Sequence, residues 1–127
     1  MKTAIELKMT AEEQKDLETI LEDHDMSINY NTQDGEVYSE IEWWSDLDED
    51  CIATIWWDGS AKSFVSEFQS YADDFDPYDH ACQWITMDHA ERERMKVPSD
   101  NKALIVDAEE TKELLMTVAK ELSEKFI

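Results

Sequence analysis

Three stretches in the middle of the chain alternate between apolar and polar positions. In residues 26–31, MSINYN, the apolar side chains Met26, Ile28 and Tyr30 fall on one face, and in residues 36–44, EVYSEIEWW, Val37, Ile41 and Trp43 do the same. Residues 51–57, CIATIWW, are rich in β-branched and aromatic side chains. A period of two is the signature of a strand with one face buried. The turn between the first two runs is TQDGE, where Asp34-Gly35 is a hairpin signal, and SDLDED separates the second from the third. The pattern therefore predicts an antiparallel meander over about residues 26–57, with TAIELK at 3–8 offering a fourth strand. Two neighbouring tryptophans in a strand point to opposite faces, so Trp43-Trp44 and Trp56-Trp57 should each give one ring to the core and one to the surface.

Around this sheet the period changes to that of helices. Thr10 followed by Glu13 reads as a capping box, opening a helix over about 10–23 with Leu17, Ile20 and Leu21 inward. Asp58-Gly59-Ser60 closes the sheet and caps a helix over 60–75, whose residues Ala61, Phe64, Val65, Phe68, Tyr71, Ala72 and Phe75 give the clearest amphipathic stripe in the chain. A shorter helix is expected over 77–89, capped by Asp76 with Pro77 at its first position and Ala81, Trp84 and Ile85 buried. The polar stretch AERERMKVPSDNK reads as a linker. A terminal helix is expected over 107–125, capped by Asp107 with Glu110 completing the box, burying Leu114, Leu115, Val118, Ala119 and Leu122 and ending with Lys120 and Lys125 near its negative pole. The fold class is α+β: a three- to four-stranded antiparallel sheet with three to four helices packed on it, in one domain spanning 1–127.

Composition changes this picture through charge. The 127 residues hold 32 acids against 11 Lys and Arg, a net −21, with 42% apolar residues to form a core. Charge on that scale costs stability through self-repulsion and exceeds what solubility needs. It disfavours direct contact with nucleic acid or an anionic membrane surface and points to a basic partner. The excess is concentrated. Residues 34–79 contain fourteen acids and one base, Lys62, whereas residues 91–127 hold nine acids and seven bases. An acidic face is expected on the sheet and the first long helix. The N-terminal MKTAIELKMTAEE has no apolar leader, and no run approaches membrane-spanning length, which suggests a cytoplasmic protein. Cys51 and Cys82 read as reduced, buried thiols, although their spacing leaves a disulfide open.

The densest acidic stretch is ADDFDPYDHACQW at 72–84. Asp76, Asp79, His80, Asp88 and His89 have the atom types of metal ligands, but no HxxxH or HExxH spacing occurs. A calcium loop starting at Asp46 would need Gly at position six and Glu at twelve, where Cys51 and Trp57 stand. Two glycines provide no phosphate-cradling loop, and no nucleophile pairing can be read from spacing. The expectation is a non-enzymatic protein without cofactor or metal, in which the stretch forms a helix–helix corner.

The run SAKSFVSEFQSYADDFDPYDHACQW, followed by VPSD and then LIVDAEETKELLMTVAKELSE, resembles small acidic proteins of phages and mobile elements of Gram-positive and gut bacteria. Their pattern is an amphipathic helix, an FDxDEH motif leading into an apolar helix that ends in Trp, a Pro-Ser loop and a DAEE-type terminal helix. Phe75, Asp76, Asp79, His80 and Trp84 match it, while Tyr78 and Asp79 replace the usual acids. The resemblance covers residues 60–124. It implies a phage or mobile-element origin, similar in style to anti-CRISPR and antirestriction proteins that inhibit host nucleases, several by mimicking DNA. On that reading the partner is a basic DNA-binding host protein, a CRISPR effector nuclease of Cas9 type, and the alternatives are an antirestriction protein or an acidic interaction protein with a basic non-nuclease partner. The candidate partner-binding residues are Glu40, Glu42, Trp44, Asp46, Asp48, Glu49, Asp50, Asp58, Asp73, Asp74 and Asp76. Glu40 and Glu42, two apart on a strand, would project about 6.6 Å apart, on the order of two phosphate steps along DNA.

Overall fold

The computed structural model describes residues 7–44, 51–86, 89–94 and 101–127. It is an α+β fold with an antiparallel sheet and helices packed on one of its faces. The elements run α1 (Ala11–Glu22), β1 (Ser27–Ile28), β2 (Asn31–Gln33), β3 (Glu36–Trp43), β4 (Cys51–Trp57), α2 (Ala61–Asp74), α3 (Pro77–Ile85), α4 (His89–Arg94) and α5 (Asn101–Phe126).

β3 is the centre of the sheet, with β4 on one side and both β1 and β2 on the other. The pairings Ser27 with Glu42 and Asn31 with Tyr38 lie in one continuous register, so β1 and β2 are two pieces of a single strand. The break falls at Asn29. Its backbone N–H donates to Glu40 O (3.2 Å), but its side-chain Oδ1 accepts the Glu40 N–H (2.9 Å), a bond a regular ladder would give to a backbone carbonyl. The hairpin closes through Asp34 (φ 53) and Gly35 (φ 84), the two left-handed residues of a type I′ turn. The expected fourth strand at 3–8 lies mostly outside the described residues. Leu7 and Lys8 are not in a strand, and the Lys8 N–H donates to Gly59 O at 3.0 Å. Gly59 has φ 96, and a Cβ there would come within 3.3 Å of Lys8 N, so both conformation and the close approach require glycine.

The helix starts follow their caps. Thr10 and Glu13 form the reciprocal capping box of α1. The Ser60 side chain accepts from Ser63 N, and Asp58 Oδ1 in turn accepts from Ser60 N (2.8 Å) and Ser60 Oγ (2.6 Å). Asp76 Oδ1 accepts from Tyr78 N (2.9 Å) at the head of α3. At the end of α1 the N–H groups of Asp25 and Met26 return to the carbonyls of Glu22 and Leu21, both at 2.9 Å. That closing pair needs a left-handed residue, and Asp25 supplies it with φ 58.

The main core lies between the sheet and α1, α2 and α5. Val37, Ile41 and Trp43 of β3 and Ala53, Ile55 and Trp57 of β4 meet Leu17, Leu21, Phe64, Val65, Phe68, Leu115, Val118 and Leu122. Ser39 is fully buried in it, and its Oγ accepts the Trp57 indole N–H at 3.0 Å. A smaller cluster of Ala81, Leu104 and Ala108, with Ile85 and Ile105 against it, joins α3 to the first half of α5. The Trp84 side chain is outside the described set.

The C-terminal third differs from the sequence reading. The helix expected over 77–89 ends at Ile85, and part of the expected linker is α4. The terminal helix begins at Asn101 rather than 107, so Asp107 is no cap but a buried residue inside α5. The reason is tertiary: Leu104 and Ala108 find Ala81, and that contact extends the helix upstream of its best capping signal. Cys82 is half-buried rather than buried, and neither cysteine is in a disulfide.

Candidate protein-binding face

Because strand side chains alternate, burying Val37, Ser39, Ile41 and Trp43 sends Glu36, Tyr38, Glu40 and Glu42 to the opposite face. The same rule buries Cys51, Ala53, Ile55 and Trp57 and turns Ile52, Thr54 and Trp56 outward. Every outward residue of β3 and β4 keeps contact with solvent, and no described helix covers this face. The register sets its rows. Ser27, Glu42 and Ile52 lie abreast, then Glu40 beside Thr54, then Asn31, Tyr38 and Trp56, and then Gln33 beside Glu36.

Two features distinguish the face. One is acidity: no Lys or Arg occurs between Lys15 and Lys62, so the strands themselves offer no cation across the ladder. The other is exposed apolar surface. The Tyr38 and Trp56 rings pack against each other with centroids 4.8 Å apart and planes tilted by 34°, and Trp56 is 44%, Ile52 49% and Trp44 63% exposed. Aromatic anchors surrounded by polar groups are the composition of protein-binding patches, not of a surface that only solubilises.

At the hairpin end the face continues into a groove of about 450 Å³ between the sheet and the start of α2. Glu36, Trp56, Asp58 and Glu67 line it, and Lys8 is the single cation among the described lining residues. The Asp58 carboxyl is held below the usual carboxylate range, chiefly by the hydrogen bond from the Ser60 hydroxyl and then by the Ser60 amide.

Of the residues picked from sequence, Glu40 and Glu42 stand together on the open face, and Trp44 projects just beyond the end of β3. Asp46, Asp48, Glu49 and Asp50 lie outside the described residues. Asp58 lines the groove while also bracing the α2 cap. Asp73, Asp74 and Asp76 are exposed at the α2–α3 corner, in the helix layer rather than on the sheet face. There Asp76 is a helix cap, as expected, and His80 packs on Phe75 with ring centroids 5.1 Å apart. Asp73 and Asp74 occupy the negative end of α2, where acids are unfavourable. Lys112 answers them from α5 by donating to the carbonyls of Ala72 and Asp73, the latter at 2.9 Å. Sequence reasoning missed Glu36, Tyr38 and Ile52 as members of the face. Alternation alone could have placed them opposite the core positions, but their meeting needs the β3–β4 register.

Among the described residues no group of three or more His, Cys, Asp or Glu side chains is arranged to hold a metal ion. No described helix is long and apolar enough to cross a membrane. No protein-family model, curated protein or solved structure matches this chain. The likeness to phage and mobile-element proteins therefore stands on its motif alone, and the functional reading stands on the face.

Proposed function

We propose that this protein is a non-enzymatic inhibitor of phage or mobile-element origin, acting in the host cytoplasm, that lays its acidic sheet face on the DNA-binding surface of a host nuclease in place of DNA. The target class is a CRISPR effector nuclease, with a restriction enzyme as the alternative. The observation that carries this reading is the row Glu36, Glu40 and Glu42 on a face that no described helix covers and whose strands contain no Lys or Arg. A DNA-loading channel is lined with Lys and Arg placed for phosphates. Carboxylates fixed on a rigid strand, about 13 Å apart from Glu36 to Glu40 and about 6.6 Å from Glu40 to Glu42, present a string of negative charge, and Arg can grip each one bidentately. Docking would relieve the self-repulsion that the free face stores, and Trp44 and Ile52 would add apolar contact beside the charges.

A second reading is favoured by the Tyr38–Trp56 pair, because imitation of a phosphate backbone needs no aromatic platform. It is an acidic interaction protein with a basic partner that is not a nuclease. A cleavage assay separates the two. DNA cleavage by a panel of DNA-loading nucleases would be followed with increasing amounts of the protein, at two salt concentrations and with competing DNA. Mimicry requires inhibition that competing DNA reverses and salt weakens, and that fails in the triple change Glu36→Gln, Glu40→Gln, Glu42→Gln. Inhibition indifferent to competing DNA would sink mimicry. Tight binding to a basic protein with no nuclease inhibited would select the second reading.

A further inference from the structure

The charge of the open face says that its partner is basic, and the arrangement within the face says more about which basic group it reads. Tyr38 and Trp56 form one row across β3 and β4, with ring centroids 4.8 Å apart, planes tilted by 34°, and Trp56 44% exposed. Along β3 the neighbours of Tyr38 on the same face are Glu36 and Glu40, each about 6.6 Å away along the strand. An aromatic row is thus bracketed by carboxylates on both sides. Beyond Glu36 the groove adds Asp58 and Glu67, with Lys8 and Trp56 also in its lining.

These groups do not treat all cations alike. A lysine ammonium is a compact, strongly hydrated point charge, well served by carboxylates alone. An arginine guanidinium is planar and weakly hydrated, so it can lie on an aromatic face while its edge donates two parallel hydrogen bonds to a carboxylate. An exposed Trp beside a Tyr adds more for arginine than for lysine. A surface evolved only for negative charge would carry Thr or Ser at these positions, as Thr54 does on the same face. We propose that the open sheet face is an arginine-reading surface: its partner presents an arginine side chain that stacks on the Tyr38–Trp56 row and pairs with Glu36 or Glu40. This inference rests on the reading of the face as the partner-binding surface, and names the residue type read there.

The test uses the full chain and two synthetic peptides of equal length and charge, one with arginine and one with lysine at every basic position, titrated by calorimetry at moderate salt. The expected result is binding of the arginine peptide about five- to ten-fold tighter than the lysine peptide. Trp56→Thr, which keeps a strand-favouring residue at an outward position, should erase the preference, while Trp56→Phe, which keeps a ring face, should retain most of it. The double change Glu36→Gln, Glu40→Gln should weaken both peptides. Circular dichroism of each variant confirms that the sheet is intact. Equal affinity for the two peptides, or a preference that survives Trp56→Thr in a folded protein, overturns the proposal, as does failure to bind either peptide. None of these results depends on nuclease inhibition, which is read separately in the cleavage assay, so either idea can fail while the other stands.

Discussion

The two faces of the sheet are built from the same strands and obey different rules. On the inner face Val37, Ile41, Trp43, Ile55 and Trp57 are nearly sealed from water, and the buried Ser39 hydroxyl there accepts the Trp57 indole N–H. On the outer face, one residue along in each case, stand Glu36, Tyr38, Glu40, Glu42, Ile52 and Trp56, with like charges side by side and aromatic rings in water. The inner face reads as selection for stability. The outer face accepts repulsion and solvent-exposed apolar area, both unfavourable in the free protein, and on the proposed function a partner covers it. The contrast also locates the consequences of mutation: inward changes should cost stability and spare binding, outward changes the reverse.

The sharpest way to break the contrast is to cut into the inner face. Phe68→Ala should lower the unfolding free energy by about 3–5 kcal/mol in a denaturant titration, since the ring is fully buried and its neighbours can fill the space only in part. Trp57→Phe should cost about 1–3 kcal/mol by the same measurement, because it leaves the Ser39 hydroxyl buried without its donor. Adding Ser39→Ala to that variant should recover part of the loss. Ser60→Ala, at the seam between sheet and α2, should cost about 1 kcal/mol through loss of the cap.

Outward changes should move stability by no more than about 0.5 kcal/mol, the range of ordinary surface substitutions. Within it the sign is informative. Replacing Glu36, Glu40 and Glu42 by Gln should raise the melting temperature at low salt and shrink the gain that added salt gives the parent protein, because both remedies act on the same repulsion. The smallest effect belongs to Asp58. Its folded carboxyl titrates below its unfolded value, so its contribution is present above the ordinary carboxylate range and is lost as pH falls through the lowered folded value. Ser60→Ala should move that titration back up, observable by NMR of the Asp58 side chain.

Much of the fold was legible because local chemistry and tertiary packing agree there. The Asp34-Gly35 turn takes the two positive φ angles that its residues favour, the capping box of α1 is fully formed, and each tryptophan pair splits between core and surface. Reading failed where tertiary contact overrides local signal. Asp107 and Glu110 form a persuasive cap, yet Leu104 and Ala108 meet Ala81, and the helix starts six residues earlier. The interruption of the first strand at Asn29 was equally hidden, since nothing in MSINYN announces that a side-chain oxygen will take the Glu40 amide. For the candidate face, the outward carboxylates Glu40 and Glu42 followed from alternation. The aromatic row did not, because Tyr38 and Trp56 are eighteen residues apart and become neighbours only in the register of β3 with β4.

The 26-residue helix α5 is carried by two supports of unequal strength. Its second half presses Leu115, Val118, Ala119 and Leu122 into the main core, while its first half leans on the small Ala81 cluster through Leu104 and Ala108. A continuous ladder of backbone hydrogen bonds does not make such a helix open as one unit. Amide protons along it should exchange with solvent on a gradient, those of the first turns released by local opening and those from Leu115 to Leu122 only when the whole molecule unfolds. The same helix would then be a flexible lever at one end and a fixed beam at the other, and α3, with its acidic corner, would ride on the flexible end.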